Sequence, residues 1–348
     1  MQRMFGWAVG LIAMLGAAGL PAHAQQRSLQ VPAASGWKHA ETGLILRPRL
    51  AGFARNGLTD NGNAELDVAA QFEDASTRIT VFLFRPALQS VPVWFDRAET
   101  QILLRGDTFG KAQPIGPVQA FAAPGATAAS ALRRVYTPAR GPYRSTGLAV
   151  IPLGRWLVAI RISSQQFDTA ELDARLSEAV AGIGWPQGVA ESPAAAPVLA
   201  CAKPLDYAKR AKMKKPSIND ALMGAIMPAV AASAAKEGKA EPGPSLFCRD
   251  LPPRLEYGTY RAPDATNAYV MAIGDAGRIV SVSPSLAGLV DNSTSWGVSF
   301  GGLDSTDIFP PFDKLPHPDQ AWKALTTSNP ISSSSGNGAN ITIGMPGK

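Results

Sequence analysis

Thr146–Ile162 reads TGLAVIPLGRWLVAIRI, and the organisation of the chain follows from it. Two runs rich in apolar and β-branched residues, 146–153 and 156–162, flank Gly154-Arg155, a two-residue connection of the kind that closes a β-hairpin. Antiparallel pairing is therefore expected here. Upstream, Arg78–Phe84 (RITVFLF) is a second strong strand, and Leu66–Phe72 alternates in part. Gly43–Leu46 is a short strand ended by Arg47-Pro48. Ser90 can cap a helix whose Val91, Trp94, Phe95, Ala98 and Ile102 fall on one face. Between that helix and the hairpin lies a Gly/Pro/Ala-rich stretch that reads as a connection. Asp168-Thr169-Ala170-Glu171 is a capping box opening a second helix with Leu172, Leu176, Val180 and Ile183 inward. Strands, helix, strands, helix in this order predict an α+β domain over 37–186, an antiparallel sheet flanked by helices.

The pattern TGLILRP (42–48) and LAGFAR (50–55), then RITVFLFRP (78–86), a helix, GRWLVAIRIS (154–163) and a closing amphipathic helix resembles the PsbP-like α/β sandwich. The resemblance covers this first domain only. It implies a docking or assembly role rather than catalysis, and it transfers no functional residue.

Residues 187–200 are Pro/Ala-rich with little periodicity and read as a linker. Beyond them a smaller β-rich α+β domain is expected over 201–348. Ser217-Ile218-Asn219-Asp220 can cap a helix running to Met227, where Pro228 would kink or end it. Lys236–Pro244 reads as a polar loop and Tyr257–Arg261 as a strand. Ala268–Ile273 and Arg278–Ser283 form a hairpin, and Pro318 opens a short helix holding Trp322 and Leu325. From Ser328 the tail is Ser/Asn/Gly-rich and expected to be loose, apart from a strand at Asn340–Ile343.

The first residues have the pattern of an export signal. Arg3 precedes an uncharged apolar run from Phe5 to Leu20, Pro21 breaks it, and Ala22-His23-Ala24 offers the small residues of a cleavage site before Gln25. At about 16 residues that run is short of the ~20 needed to span a bilayer. A leader of residues 1–24, cleaved after Ala24, and a periplasmic or secreted mature chain of bacterial type are expected. No later segment reads as transmembrane. The formal net charge of +6 is too small and too dispersed to imply nucleic acid. The only two cysteines, Cys201 and Cys248, are expected to pair, because an exported chain meets an oxidising compartment.

Once His23 leaves with the leader, His39 and His317 are the remaining histidines, too few for a histidine metal site. Neither a metal nor a cofactor is implied, and no P-loop or G-x-G-x-x-G occurs. Gly297-Val298-Ser299-Phe300-Gly301 matches G-x-S-x-G by letters, with Asp304 or Asp307 and then His317 following in triad order. A nucleophile elbow needs a helix after the serine, whereas Gly302-Leu303-Asp304-Ser305-Thr306 forms turns. Glu73-Asp74, Asp304 and Asp307 carry no acid/base assignment of their own.

Two basic groups are candidate binding elements. Arg133, Arg134, Tyr136, Arg140, Tyr143 and Arg144 combine guanidinium forks with aromatic faces suited to an anion; a charged strand edge is the plainer alternative. Lys203, Lys209, Arg210, Lys212, Lys214 and Lys215 precede an apolar stretch at Ala221–Ala235, which suits an anionic lipid surface or, more plainly, a solvated face leading into a core helix. The expected function is non-enzymatic binding or scaffolding in the cell envelope, the partner being an envelope protein or an anionic glycan or lipid. Peripheral membrane association through 203–215 and a Ser299 hydrolase are the alternatives.

Overall fold

The computed structural model describes residues 26–236, 246–336 and 340–344. The expected leader and most of the polar loop after the 218–236 helix lie outside the described residues. Two nine-stranded sheets dominate. In the first, β1 (Arg27–Ser28), β4 (Arg49–Leu50), β5 (Phe53–Asp60), β6 (Asp67–Glu73) and β7 (Thr77–Phe84) precede helix α1 (Val91–Leu103) and the short turn α2 (Gly106–Phe109). Strands β8 (Gln113–Phe121), β9 (Ala131–Thr137), β10 (Ser145–Leu153) and β11 (Trp156–Ser164) follow, then helix α3 (Thr169–Gly182). A separate ribbon pairs β2 (Trp37–Lys38) with β3 (Ile45–Leu46). The sheet order is β1-β5-β6-β7-β11-β10-β9-β8, with β4 beside β5 and every pair antiparallel.

The expected hairpin forms in register, Leu153 opposite Trp156 and Thr146 opposite Ser163. Its side chains sort by the two-residue period. Ala149, Ile151, Val158 and Ile160 pack with Leu172, Leu176 and Ala179 of α3. Leu148, Val150, Leu157 and Ala159 pack with Trp94, Phe95 and Ile102 of α1. Ser90 caps α1 by accepting the Val93 amide, and the Asp168–Glu171 box caps α3.

The Gly/Pro/Ala-rich connection is not a plain loop: it supplies β8 and β9. Strand β8 carries Pro114 and Pro117 and is tolerated because it lies at the sheet edge, where a missing N–H costs no ladder bond. Residues 187–198 are tied to the first sheet and to α1, and 199–200 go on into the second sheet. Glu191 accepts from the Thr127 and Ala128 amides, the Ala195 amide donates to Ala129, and Val198 is buried beside α1.

The second sheet is as wide as the first, not smaller. It runs β12 (Leu199–Ala200), β13 (Cys248–Arg249), β14 (Tyr257–Arg261), β15 (Tyr269–Ile273), β16 (Arg278–Pro284), β17 (Trp296–Gly301), β18 (Ser305–Phe312), β19 (Ser332–Ser335) and β20 (Asn340–Ile343) in spatial order. Helix α4 (Ile218–Lys236) precedes β13, α5 (Leu286–Val290) follows β16, and α6 (Pro318–Thr327) follows β18. The tail expected to be loose thus completes the sheet, with β19 built from four serines whose backbone bonds suffice for the ladder. Helix α4 passes through Pro228 instead of ending there, since the alanine-rich run after it is a strong helix former. Cys201 and Cys248 are joined as expected, with Cα atoms 4.9 Å apart.

One face of this sheet, with Met271, Val280, Val282, Val298 and Phe309, packs on Ala321 and Ala324 of α6. The other brings Tyr260, Ala272 and Ile279 onto α1. Helix α1 therefore lies between the two sheets, and the layers run α3, first sheet, α1, second sheet, α6. Its polar side is as buried as its apolar one. Arg97, fully buried, donates to the carbonyls of Gly274, Arg254 and Leu255, each at 2.9 Å. Asp96 accepts from the Tyr260 hydroxyl at 2.6 Å and pairs with Arg249.

At the margin of this junction Asp67 is buried, with Arg278 3.7 Å away. Burial raises its carboxyl above the usual aspartate value despite that arginine. A raised folded-state value adds stability that is complete below the unfolded value near 3.8 and is lost as pH rises through the folded one. Asp67→Asn is accordingly expected to flatten the decline in urea stability above about pH 4. A steeper decline in the variant would contradict this account.

Candidate docking surface

The basic and aromatic group expected on the first sheet is not one surface. Arg133 and Arg134 are adjacent on β9, so strand alternation sends them to opposite faces. Arg133 reaches Asp173 and Ser177 of α3 and lies over the Phe121 ring. On the α1 side, Arg134 and the Tyr136 hydroxyl share Glu99 at 3.1 and 3.0 Å. Tyr136 is fully buried, and its phenol is pushed well above its ordinary pKa, first by burial and then by Glu99. Tyr143 stacks near Phe109, Arg144 donates to the Gln166 carbonyl, and the Arg140 side chain packs at Gly110. These side chains fasten the first sheet to its helices.

The serine motif lacks the setting of an elbow. Ser299 sits inside β17, opposite Ser281 and Ile308, and the chain turns into β18 rather than a helix. Its neighbour Val298 faces α6, so Ser299 faces away from the side where His317 begins α6. His317 is a cap, its Nδ1 accepting the Asp319 amide at 3.2 Å. The other histidine, His39, is a core residue beside Trp37 and Trp156, and burial lowers its pKa. The carboxylates have structural partners too. Glu73 pairs with Arg78 at 2.6 Å, Asp74 accepts the Ser76 and Thr77 amides at 2.8 Å, and Asp304 pairs with Arg85 at 2.8 Å. Among the described residues no group of three or more His, Cys, Asp or Glu is placed to hold a metal.

A different surface stands out on the second sheet. Helix α4 lies over β18 to β20, where Gly224 meets Ile308 so closely that an added Cβ would fall 2.7 Å from Ile308 Cγ1. That contact fixes the inner side of the helix. On its outer side Ile218, Leu222, Ile226 and Val230 are 61, 41, 40 and 53 % exposed. Their spacing of four residues draws one ridge along the helix, about 18 Å from end to end at the usual helical rise. Helix α5 extends the apolar area with exposed Leu286 and Val290. It is held to α4 by Ser285 on Asp220, and by Ser217 and Asn219 on Asp291.

Immediately before α4, residues 205–215 form a strap with a fixed backbone. The Ala208 amide donates to Leu315, Lys214 to Pro311 and Asp313 to Lys212, while the Gln320 amide group donates to the Ala211 carbonyl. At its start, buried Asp250 accepts the Leu205 amide and the Tyr207 hydroxyl and pairs with Arg261 at 2.6 Å. Lys209, Arg210, Lys212 and Lys215 project from this strap into solvent, with exposed Met213 among them; Lys203 is exposed just upstream and Lys214 is half-buried. The ion pairs among the described residues take their cations from arginines and His317, none from a lysine.

The sequence points to the strap and leaves the helix after it either at a lipid surface or in the core. Every position in Ala221–Ala235 is apolar or small, so nothing in the letters separates a covered side from an open one. No family model, curated protein or solved structure matches the chain.

Proposed function

We propose that the protein is a non-catalytic docking protein of the cell envelope, and that the ridge of α4 with the adjoining α5 is its docking face. The observation that carries this reading is the exposed Ile218–Leu222–Ile226–Val230 ridge on a helix that is apolar on both sides. Helices apolar all round belong in interiors or against an apolar partner. The disulfide and the export pattern of the first residues fit an oxidising compartment outside the cytoplasm. The resemblance of the N-terminal half to PsbP-like sandwiches points to docking as well.

Magnitudes limit what the ridge can do alone. Its four side chains are already about half covered, so burying the remainder stabilises a complex by ~1 kcal/mol each, about 4 kcal/mol together. That corresponds to a dissociation constant of about 1 mM. Useful affinity therefore needs the α5 residues and the charges of the strap as well.

The native protein is expected to enhance the fluorescence of anilinonaphthalenesulfonate, an anionic dye that brightens on apolar surface. The double variant Leu222→Ser/Ile226→Ser should lose most of that enhancement while keeping the parent melting temperature. Equal dye binding by the two proteins would remove this face from the reading.

A further inference from the structure

We infer that the occupant of this face is the anionic surface of a lipid bilayer, met by helix α4 lying in the headgroup plane with the basic 205–215 strap leading into its N-terminal end. The inference rests on the docking role proposed above and supplies its partner.

Shape comes first. A helix seated on a sheet offers a convex apolar ridge, which can lie in the headgroup plane of a bilayer. The ridge is inclined by about 26° to the helix axis, so a near-parallel approach brings Leu222 and Ile226 to the surface with Ile218 and Val230 flanking them. The helix is suited to lie on the membrane and not to cross it: no described helix is long and apolar enough to span one.

Charge makes the choice specific. Lys209, Arg210, Lys212 and Lys215 are exposed on the strap that runs directly into α4, and Met213 places an apolar side chain between them. Ammonium groups on long stems attract headgroup phosphates without demanding a fixed geometry, and their flexible stems let them extend to the interface. The strap's backbone bonds to 311–316 hold the chain bearing these stems in place, so little order is lost when they meet the surface. Four carboxylates on or beside these segments oppose the attraction: exposed Asp206 on the strap, Asp313 next to Lys212, and Asp220 and Asp291 near the start of α4. Three have local donors, Asp313 the Lys212 amide, Asp220 Ser217 and Ser285, and Asp291 Ser217 and Asn219, and the six basic residues of 203–215 outnumber the four acids.

The test is co-sedimentation of the full chain with phosphatidylcholine vesicles, with and without phosphatidylglycerol, at about 50 and about 500 mM salt. Binding is expected to the phosphatidylglycerol vesicles at low salt and to weaken strongly at high salt. Lys209→Gln/Lys212→Gln/Lys215→Gln should weaken it by about tenfold or more, and Leu222→Ser/Ile226→Ser should abolish it. The lysine variant replaces only exposed side chains, so it tests the inference even if the apolar variant folds poorly. Equal binding to both vesicle types, or an unaffected lysine variant, would overturn it. Dye binding without vesicle binding would also overturn the lipid inference while leaving the docking face in place. Dimers in sedimentation velocity that disappear with Leu222→Ser/Ile226→Ser, in a protein that ignores vesicles, would assign the face to a second copy of the chain.

Discussion

Arg97→Leu is expected to destabilise the protein by about 3–5 kcal/mol, read as a lower urea midpoint. The side chain is fully buried in α1, and its guanidinium serves three carbonyls of the second sheet's loops, at Arg254, Leu255 and Gly274. Leucine fills much of the same volume but leaves those three acceptors without donors in a dry junction, at ~1–3 kcal/mol for each that water cannot reach. Arg97→Lys should recover only part of the loss, because an ammonium cannot present three donors in the planar fork that guanidinium does. A leucine variant within about 1 kcal/mol of the parent would mean that the junction relaxes enough to admit water.

The second large effect is expected at the disulfide. Cys201 and Cys248 are 47 residues apart, and a cross-link closing a loop of that size removes unfolded-state entropy worth ~4 kcal/mol. Cys201→Ser/Cys248→Ser should therefore unfold at lower urea, and adding reductant to the parent should shift it to the variant's midpoint. The covalent bond does not hold this corner alone. The Cys201 amide donates to the Arg249 carbonyl, and Asp250 ties Leu205 and Tyr207 to Arg261. The reduced protein should stay folded at neutral pH, weakened but with native near-UV dichroism; collapse on reduction would show that those hydrogen bonds contribute little.

Local signals were legible where the period of the chain and its punctuation agreed. Gly154-Arg155 between two apolar runs, the Asp168–Glu171 box and the Gly274–Gly277 turn each specify structure within a few residues, and each is found as read. Strand β8 was missed because two prolines and a glycine argue against a strand anywhere but an edge, and edges are a property of the finished sheet. Serines 332–335 carry no strand signal of their own and pair because β18 presents a ready ladder. The adjacent Arg133 and Arg134 looked like one basic patch only while β9 was unrecognised, since the pleat sends them apart. For α4 the four-residue spacing was in the letters, but its exposure depends on where the sheet ends, at β20.

The position of α1 also sets the order in which this chain can finish folding. Its contacts with the first sheet are made by residues within about 75 positions of the helix, whereas Arg97 meets Gly274 across 177 positions and Asp96 meets Tyr260 across 164. A chain emerging from its N-terminus can assemble the first sheet early, and α1 will then wait with a buried-type aspartate and arginine facing water. The arrival of β14 and β15 on that helix, a long loop closure, is expected to come late in folding. Until then the unfinished molecule exposes this side of α1, and there a holding chaperone would act.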